Sequence, residues 1–100
     1  MKYQSTRNAA QLVSGTAAIL QGIAPDGGLY VPQGAELPKL NLAALLTLDT
    51  LSLSAAVMGA MFPEFSAQEM QEMVHKAYDG RFAAADLTPT VPVGDDYVLE

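Results

Sequence analysis

Cysteine is absent from this chain, histidine occurs once, and lysine and arginine together number five in 100 residues. Without cysteine there is no disulfide framework and no thiolate metal site. The absence fits a cytoplasmic protein. Five basic residues against eleven acidic ones leave a net charge of −6. No basic stripe exists, so nucleic acid is excluded as a partner. The acidic residues are scattered and do not form an interaction tail. No apolar run reaches membrane-spanning length, and the start Met1-Lys2-Tyr3-Gln4-Ser5 is too polar for a secretory signal. No Gly-x-Ser-x-Gly, Walker-type loop or Cys–His pair occurs. The single His75 has no second nitrogen or sulfur ligand at metal spacing and reads as a surface or boundary histidine.

Half of the residues are hydrophobic, enough for one core in a single domain over residues 1–100. A chain this short still buries only roughly 60–70% of its unfolded surface, so its stability margin is narrow. The densest information lies in Leu20-Gln21-Gly22-Ile23-Ala24-Pro25-Asp26-Gly27-Gly28-Leu29-Tyr30-Val31-Pro32. Gly22 suits a helix end that needs positive φ, with Ile23 folding back on the last turn. Pro25 presets the first corner of a turn, and Asp26-Gly27-Gly28 adds a side-chain acceptor and permissive backbone. Residues 29–31 read as a strand that Pro32 stops. The glycine pair by itself is a weak phosphate-loop signal; a helix–turn–strand joint of the kind many proteins use is the better reading of it.

Around this joint the pattern is α+β, with several helices and short strands. Residues 2–4 read as an opening strand or arm and 8–11 as a connection. Ser14 caps a helix through Gln21, with Ala17, Ala18, Ile19 and Leu20 available for burial. Gly15 is out of place in a first helical turn. A loop over 33–38 precedes a helical segment at 42–46, capped by Asn41. The next helix is expected over 53–62 behind Ser52 or Thr50, apolar nearly all round. Ser66 with Glu69 forms a capping box for a helix over 67–78, and Phe65 with Met70 a hydrophobic staple. Its stripe of Met70, Met73, Val74, Ala77 and Tyr78 is expected to be buried. Met58, Met61, Met70 and Met73 read as core filling. The tail alternates through Leu87, Pro89, Val91 and Val93, turns at Gly94-Asp95-Asp96, and returns through Tyr97-Val98-Leu99. Asp95-Asp96 reads as an acidic turn rather than a catalytic pair.

Ser5-Thr6-Arg7 is the one cluster with binding chemistry. Two hydroxyls and a guanidinium offer charge-assisted donors to a phosphate. The alternative is a cap-and-turn cluster with Arg7 paired to an acid.

The strings over 3–7, 21–32 and 97–100 resemble the amino-terminal domain of threonine synthase, a pyridoxal-phosphate enzyme of fold type II. The resemblance runs through the whole chain in the expected order. It implies conversion of O-phospho-L-homoserine and water to L-threonine and phosphate, in the cytoplasm. It implies that Ser5, Thr6 and Arg7 bind the substrate's phosphate. In the family, the run resembling residues 97–100 is followed by a His-Gly-Pro-Thr segment and the lysine that holds the cofactor. Neither occurs here, so no catalytic or cofactor-binding residue is assigned, and the chain alone is expected to be inactive and to bind no pyridoxal phosphate. The sequence departs from the family in two places. Gly15 stands where a large aromatic is usual, and Asn8 follows Arg7 where glycine is usual; asparagine tolerates a left-handed backbone.

Two other readings remain open at this stage. One is a non-catalytic domain that binds phosphate or a phospho-amino acid; the other is a structural interaction module built on the Met-bearing helices. The chain by itself is also expected to self-associate, through its terminal strand, the helices or both.

Overall fold

Tyr3 and Ser5 are both only 4% exposed, and they alternate with Lys2 and Gln4 along strand β1 (Lys2–Ser5) as a half-buried strand requires. In this computed structural model, which describes residues 1–34, 37–82 and 86–99, β1 is the centre of a three-stranded antiparallel sheet. Strand β2 (Leu12–Ser14) lies on one side, with Tyr3 opposite Val13. Strand β3 (Tyr30–Pro32) lies on the other, with Tyr3 opposite Pro32 and Ser5 opposite Tyr30. Residues 35 and 36 of the expected 33–38 loop, and Glu100, fall outside the described residues.

Helix α1 (Gly15–Gln21) follows β2 without a break, capped by Ser14, whose Oγ accepts from Ala17 N at 3.1 Å. Helix α2 (Leu42–Leu45) is capped by Asn41, and helices α3 (Thr50–Met61) and α4 (Ala67–Tyr78) pack on each other. The core between α3 and α4 joins Ala55 to Met70 and Val74, with Leu51, Phe62 and Phe65 against it. The capping box of α4 is complete: Ser66 Oγ accepts from Glu69 N, and Glu69 Oε2 accepts from Ser66 N at 2.8 Å. Strands β4 (Thr90–Val93) and β5 (Asp96–Leu99) form a separate antiparallel hairpin, turning at Gly94 with φ of +63°.

Tyr3 ties the sheet to the helices. The Tyr3 hydroxyl donates to the Met61 carbonyl at 2.7 Å, and its ring stacks on Phe62 with centroids 5.6 Å apart. Burial, and then the carboxylate of Glu64, push the Tyr3 phenol above its ordinary pKa. The same stack explains Gly15. A Cβ there would lie 2.7 Å from Phe62 Cδ1 and 3.2 Å from Tyr3 Cε2. The Phe62 ring occupies the space that a side chain at position 15 would take. The Gly15 N–H donates to Glu64 Oε1 at 2.9 Å.

Several expectations need correction. The 8–11 connection is right, but it leads into β2, a three-residue strand too short to show alternation. Strand β3 runs from Tyr30 through Pro32, whereas Leu29 makes an isolated bridge to Ile23. Pro32 is tolerated as the strand's last residue, on a sheet edge. Helix α3 starts three residues earlier than expected, because Asp49 and not Ser52 or Thr50 is its cap; its carboxylate accepts from Ser52 N at 3.0 Å. Only Ala18 of the apolar residues in α1 is buried, while Ile19, Leu20 and Ile23 are exposed. The α4 stripe is buried only at Met70 and Val74. Met73, Ala77 and Tyr78 stay exposed because, among the described residues, α3 covers only the Met70 and Val74 line of α4; Tyr78 stacks on Phe82 with ring centroids 6.3 Å apart. All three line an open groove of about 250 Å³ with Ile19, Met58 and Phe62. His75 is exposed, with Nδ1 3.9 Å from Asp79.

Candidate functional site

The pairing of β1 with β3 brings the end of β1 against the turn that precedes β3. That turn is closed by Gly27 N donating to Ala24 O at 2.8 Å, with Pro25 at its first corner. Gly22 and Gly27 take φ of +70° and +77°, as their expected places in the joint require.

Ser5, Thr6 and Arg7 each bond to this turn or to the strand leaving it. Ser5 Oγ donates to Asp26 Oδ1 at 2.7 Å and accepts from Arg7 N at 3.1 Å. Thr6 Oγ1 accepts from Leu29 N at 3.0 Å, and Thr6 N donates to Leu29 O at 2.8 Å. Arg7 Nη1 donates to the Asp26 carbonyl at 3.2 Å. Asp26 Oδ1 also accepts from Gly28 N at 2.9 Å.

The three expected site residues are therefore together but not equivalent. Ser5 is buried, and its proton is committed to Asp26. Thr6 and Arg7 are exposed. The Thr6 hydroxyl is used here as an acceptor, which leaves its proton for another partner. Arg7 has five N–H donors and spends one, on a neutral carbonyl. Among the described residues no carboxylate lies within ion-pair distance of it. This arrangement can present a guanidinium and a hydroxyl to an oxyanion from the segment that follows the central strand β1.

Asp26 was legible in the sequence only as a turn acceptor. Its junction with Ser5, 21 positions away, is set by the β1–β3 register. The Ser5 hydroxyl, and then the Gly28 N–H, hold the Asp26 carboxyl below its ordinary value of 3.8. Glu64, Asp49 and Glu69 are lowered as well, each mainly by hydrogen bonds from backbone N–H or hydroxyl groups. A carboxyl whose folded pKa is depressed stabilises fully above its unfolded value, and that contribution fades as pH falls toward the folded one. Thermal midpoints should therefore be flat from neutral pH down to the ordinary carboxylate values of 3.8 and 4.5, and drop below them. A midpoint unchanged well below that range would contradict these bonds.

The family model described as threonine synthase N terminus matches residues 2–78. The chain belongs to this family. Threonine synthase from Methylobacillus glycogenes is 30% identical over 110 residues, covering 99% of this chain and 23% of that protein. The structure of PLP-bound threonine synthase from Brucella melitensis superposes with a TM-score of 0.77 at 34% identity, over 100% of this chain and 22% of that one. Threonine synthase from Escherichia coli gives a TM-score of 0.74 at 27% identity, over 96% and 22%. The chain thus has the α+β fold of a threonine synthase amino-terminal domain and spans less than a quarter of the length of these relatives.

The Brucella melitensis structure holds PLP, and no lysine among the described residues offers an enclosed amine for such a group. Pyridoxal phosphate needs an enclosed amine, and Lys2, Lys39 and Lys76 are all exposed, on β1, on the loop before α2, and on α4. No helix of the described residues is long and apolar enough to cross a membrane, and no group of three or more metal-ligating side chains occurs among them.

Proposed function

We propose that this chain serves as the amino-terminal domain, residues 1–100, of a pyridoxal-phosphate-dependent threonine synthase acting in the cytoplasm on O-phospho-L-homoserine. Its part in the reaction is to hold the substrate's phosphate. The carrying observation is that Arg7, just past the end of β1, is exposed with four of its five donors unspent among the described residues, beside the Thr6 hydroxyl. A phosphate dianion is the ligand such a pair recognises best, since guanidinium donors match its oxygens two at a time. Ser5 contributes from beneath: it fixes the Arg7 main chain and does not reach the ligand itself. When bound elsewhere in the enzyme, the cofactor supplies the electron sink for carbanion chemistry. Arg7 and Thr6 would bind and orient the substrate's phosphate, in the ground state and the transition state alike.

In a complete threonine synthase carrying this domain, Arg7→Ala should raise KM for O-phosphohomoserine by about tenfold or more, the loss of a charge-assisted contact. The cofactor's absorption spectrum should not change. Unchanged KM would return Arg7 to a purely structural role. The open groove along α4 and the exposed hairpin, where Tyr97 and Leu99 are 75% and 68% exposed, support self-association of the chain by itself.

A further inference from the structure

Arg7 is held at two points, and both lead to Asp26. Its backbone N–H donates to Ser5 Oγ, whose own proton goes to Asp26 Oδ1. Its guanidinium donates from Nη1 to the Asp26 carbonyl. The same Oδ1 takes the Gly28 N–H and so fixes the turn that presents that carbonyl. Gly27 lies directly under the guanidinium: a Cβ there would be 3.3 Å from Nη1.

The direction of the carboxylate matters. Its hydrogen-bonding oxygen is spent on Ser5 and Gly28, and the group that meets the guanidinium is a neutral carbonyl. A carboxylate paired directly with Arg7 would compete with an incoming phosphate. A carbonyl fixes the side chain and leaves most of its donors and its charge for the ligand.

We infer that Asp26 is the positioning residue for Arg7, acting through the Ser5 hydroxyl and the turn over 26–28 to aim the guanidinium at the substrate phosphate. The inference rests on the phosphate role of Arg7 for its consequence, but the aiming itself is observable without substrate. What Asp26 supplies is an acceptor at fixed reach. Asparagine supplies the same acceptor and should replace it; alanine should not.

Two measurements separate the parts. In this chain, ¹⁵N relaxation of the Arg7 backbone amide and Nε should show an ordered side chain, loosened by Asp26→Ala and restored by Asp26→Asn. Asp26 is exposed in a turn, so its truncation opens no core cavity. Asp26→Ser, too short to reach Ser5, is the second variant should the alanine variant not fold. Equal Arg7 order in all of these proteins would overturn the inference.

In a complete threonine synthase carrying this domain, Asp26→Ala should raise KM for O-phosphohomoserine about tenfold with little change in kcat. Adding it to Arg7→Ala should cost nothing further, since both act on one contact. Additive effects would mean that Asp26 acts independently of Arg7 and would also overturn the inference. A KM indifferent to Arg7→Ala would defeat the phosphate role, and the relaxation data would still decide the aiming.

Discussion

Gly28→Ala should be among the most damaging single-methyl additions to this protein. The new Cβ would sit 2.1 Å from Ser5 Oγ, 3.0 Å from Asp26 Oδ1 and 3.1 Å from Thr6 Oγ1. None of the three can simply swing away. Ser5 is buried with its hydroxyl bonded on both sides, and Thr6 and Asp26 each accept a backbone N–H. Either the turn lifts off β1 or these bonds break; overpacking and lost buried bonds each cost about 1–3 kcal/mol. We expect a loss of about 3 kcal/mol, which lowers the thermal midpoint by roughly 12–24 °C in a domain of this size. Gly34→Ala is the control. Gly34 has φ of +59° but, among the described residues, nothing within 4 Å of its Cβ position, so the left-handed backbone cost of about 1–2 kcal/mol is what remains. If circular dichroism melts placed Gly28→Ala at or above Gly34→Ala, the close packing of the turn on β1 would be wrong.

Tyr3→Ala should be comparably severe, for a different reason. Tyr3 is the joint between the sheet and α3, through its stack on Phe62 and its bond to Met61. Removing a buried aromatic side chain costs about 3–5 kcal/mol. Tyr3→Phe keeps the stack and strands the Met61 carbonyl, for about 1–3 kcal/mol. Urea titrations should show this order, alanine well below phenylalanine and phenylalanine below the unsubstituted chain. Equal loss in both variants would mean that the ring contributes nothing and that the sheet and helices are held together elsewhere.

The starts of α1, α2 and α4 and the turn were readable because their causes are local; the start of α3 was misread although its Asp49 cap is equally local. Ser14, Asn41 and Ser66 cap within three residues of themselves, and the Pro25 corner closes within four. The alternation that leads into β4 and β5 was equally explicit. Most of what else escaped the sequence depends on partners elsewhere in the fold. Strand β2 has three residues and exists because β1 offers it an edge. Gly15 looked anomalous until Phe62 appeared over it, 47 positions later in the chain. The half-open face of α4 has the spacing of a fully buried one; periodicity reports which residues could be covered, not whether a neighbour is there to cover them.

The site follows the same division. Ser5-Thr6-Arg7 announces donors, and residues 20–32 announce a turn. That Ser5 and Asp26 interlock, so that only Thr6 and Arg7 face outward, is a consequence of the β1–β3 register. The donor string was therefore visible, but its division into one buried hydroxyl and two exposed groups was not.

The most direct test of the phosphate role is a crystal structure of a complete threonine synthase carrying this domain, soaked with a phosphonate analogue of O-phosphohomoserine. The Arg7 guanidinium should lie within charge-assisted hydrogen-bond distance of the phosphonate oxygens, about 2.7–2.9 Å, with the Thr6 hydroxyl beside it. An analogue bound in full with its phosphonate held by other residues, and with Arg7 turned to solvent, would contradict it.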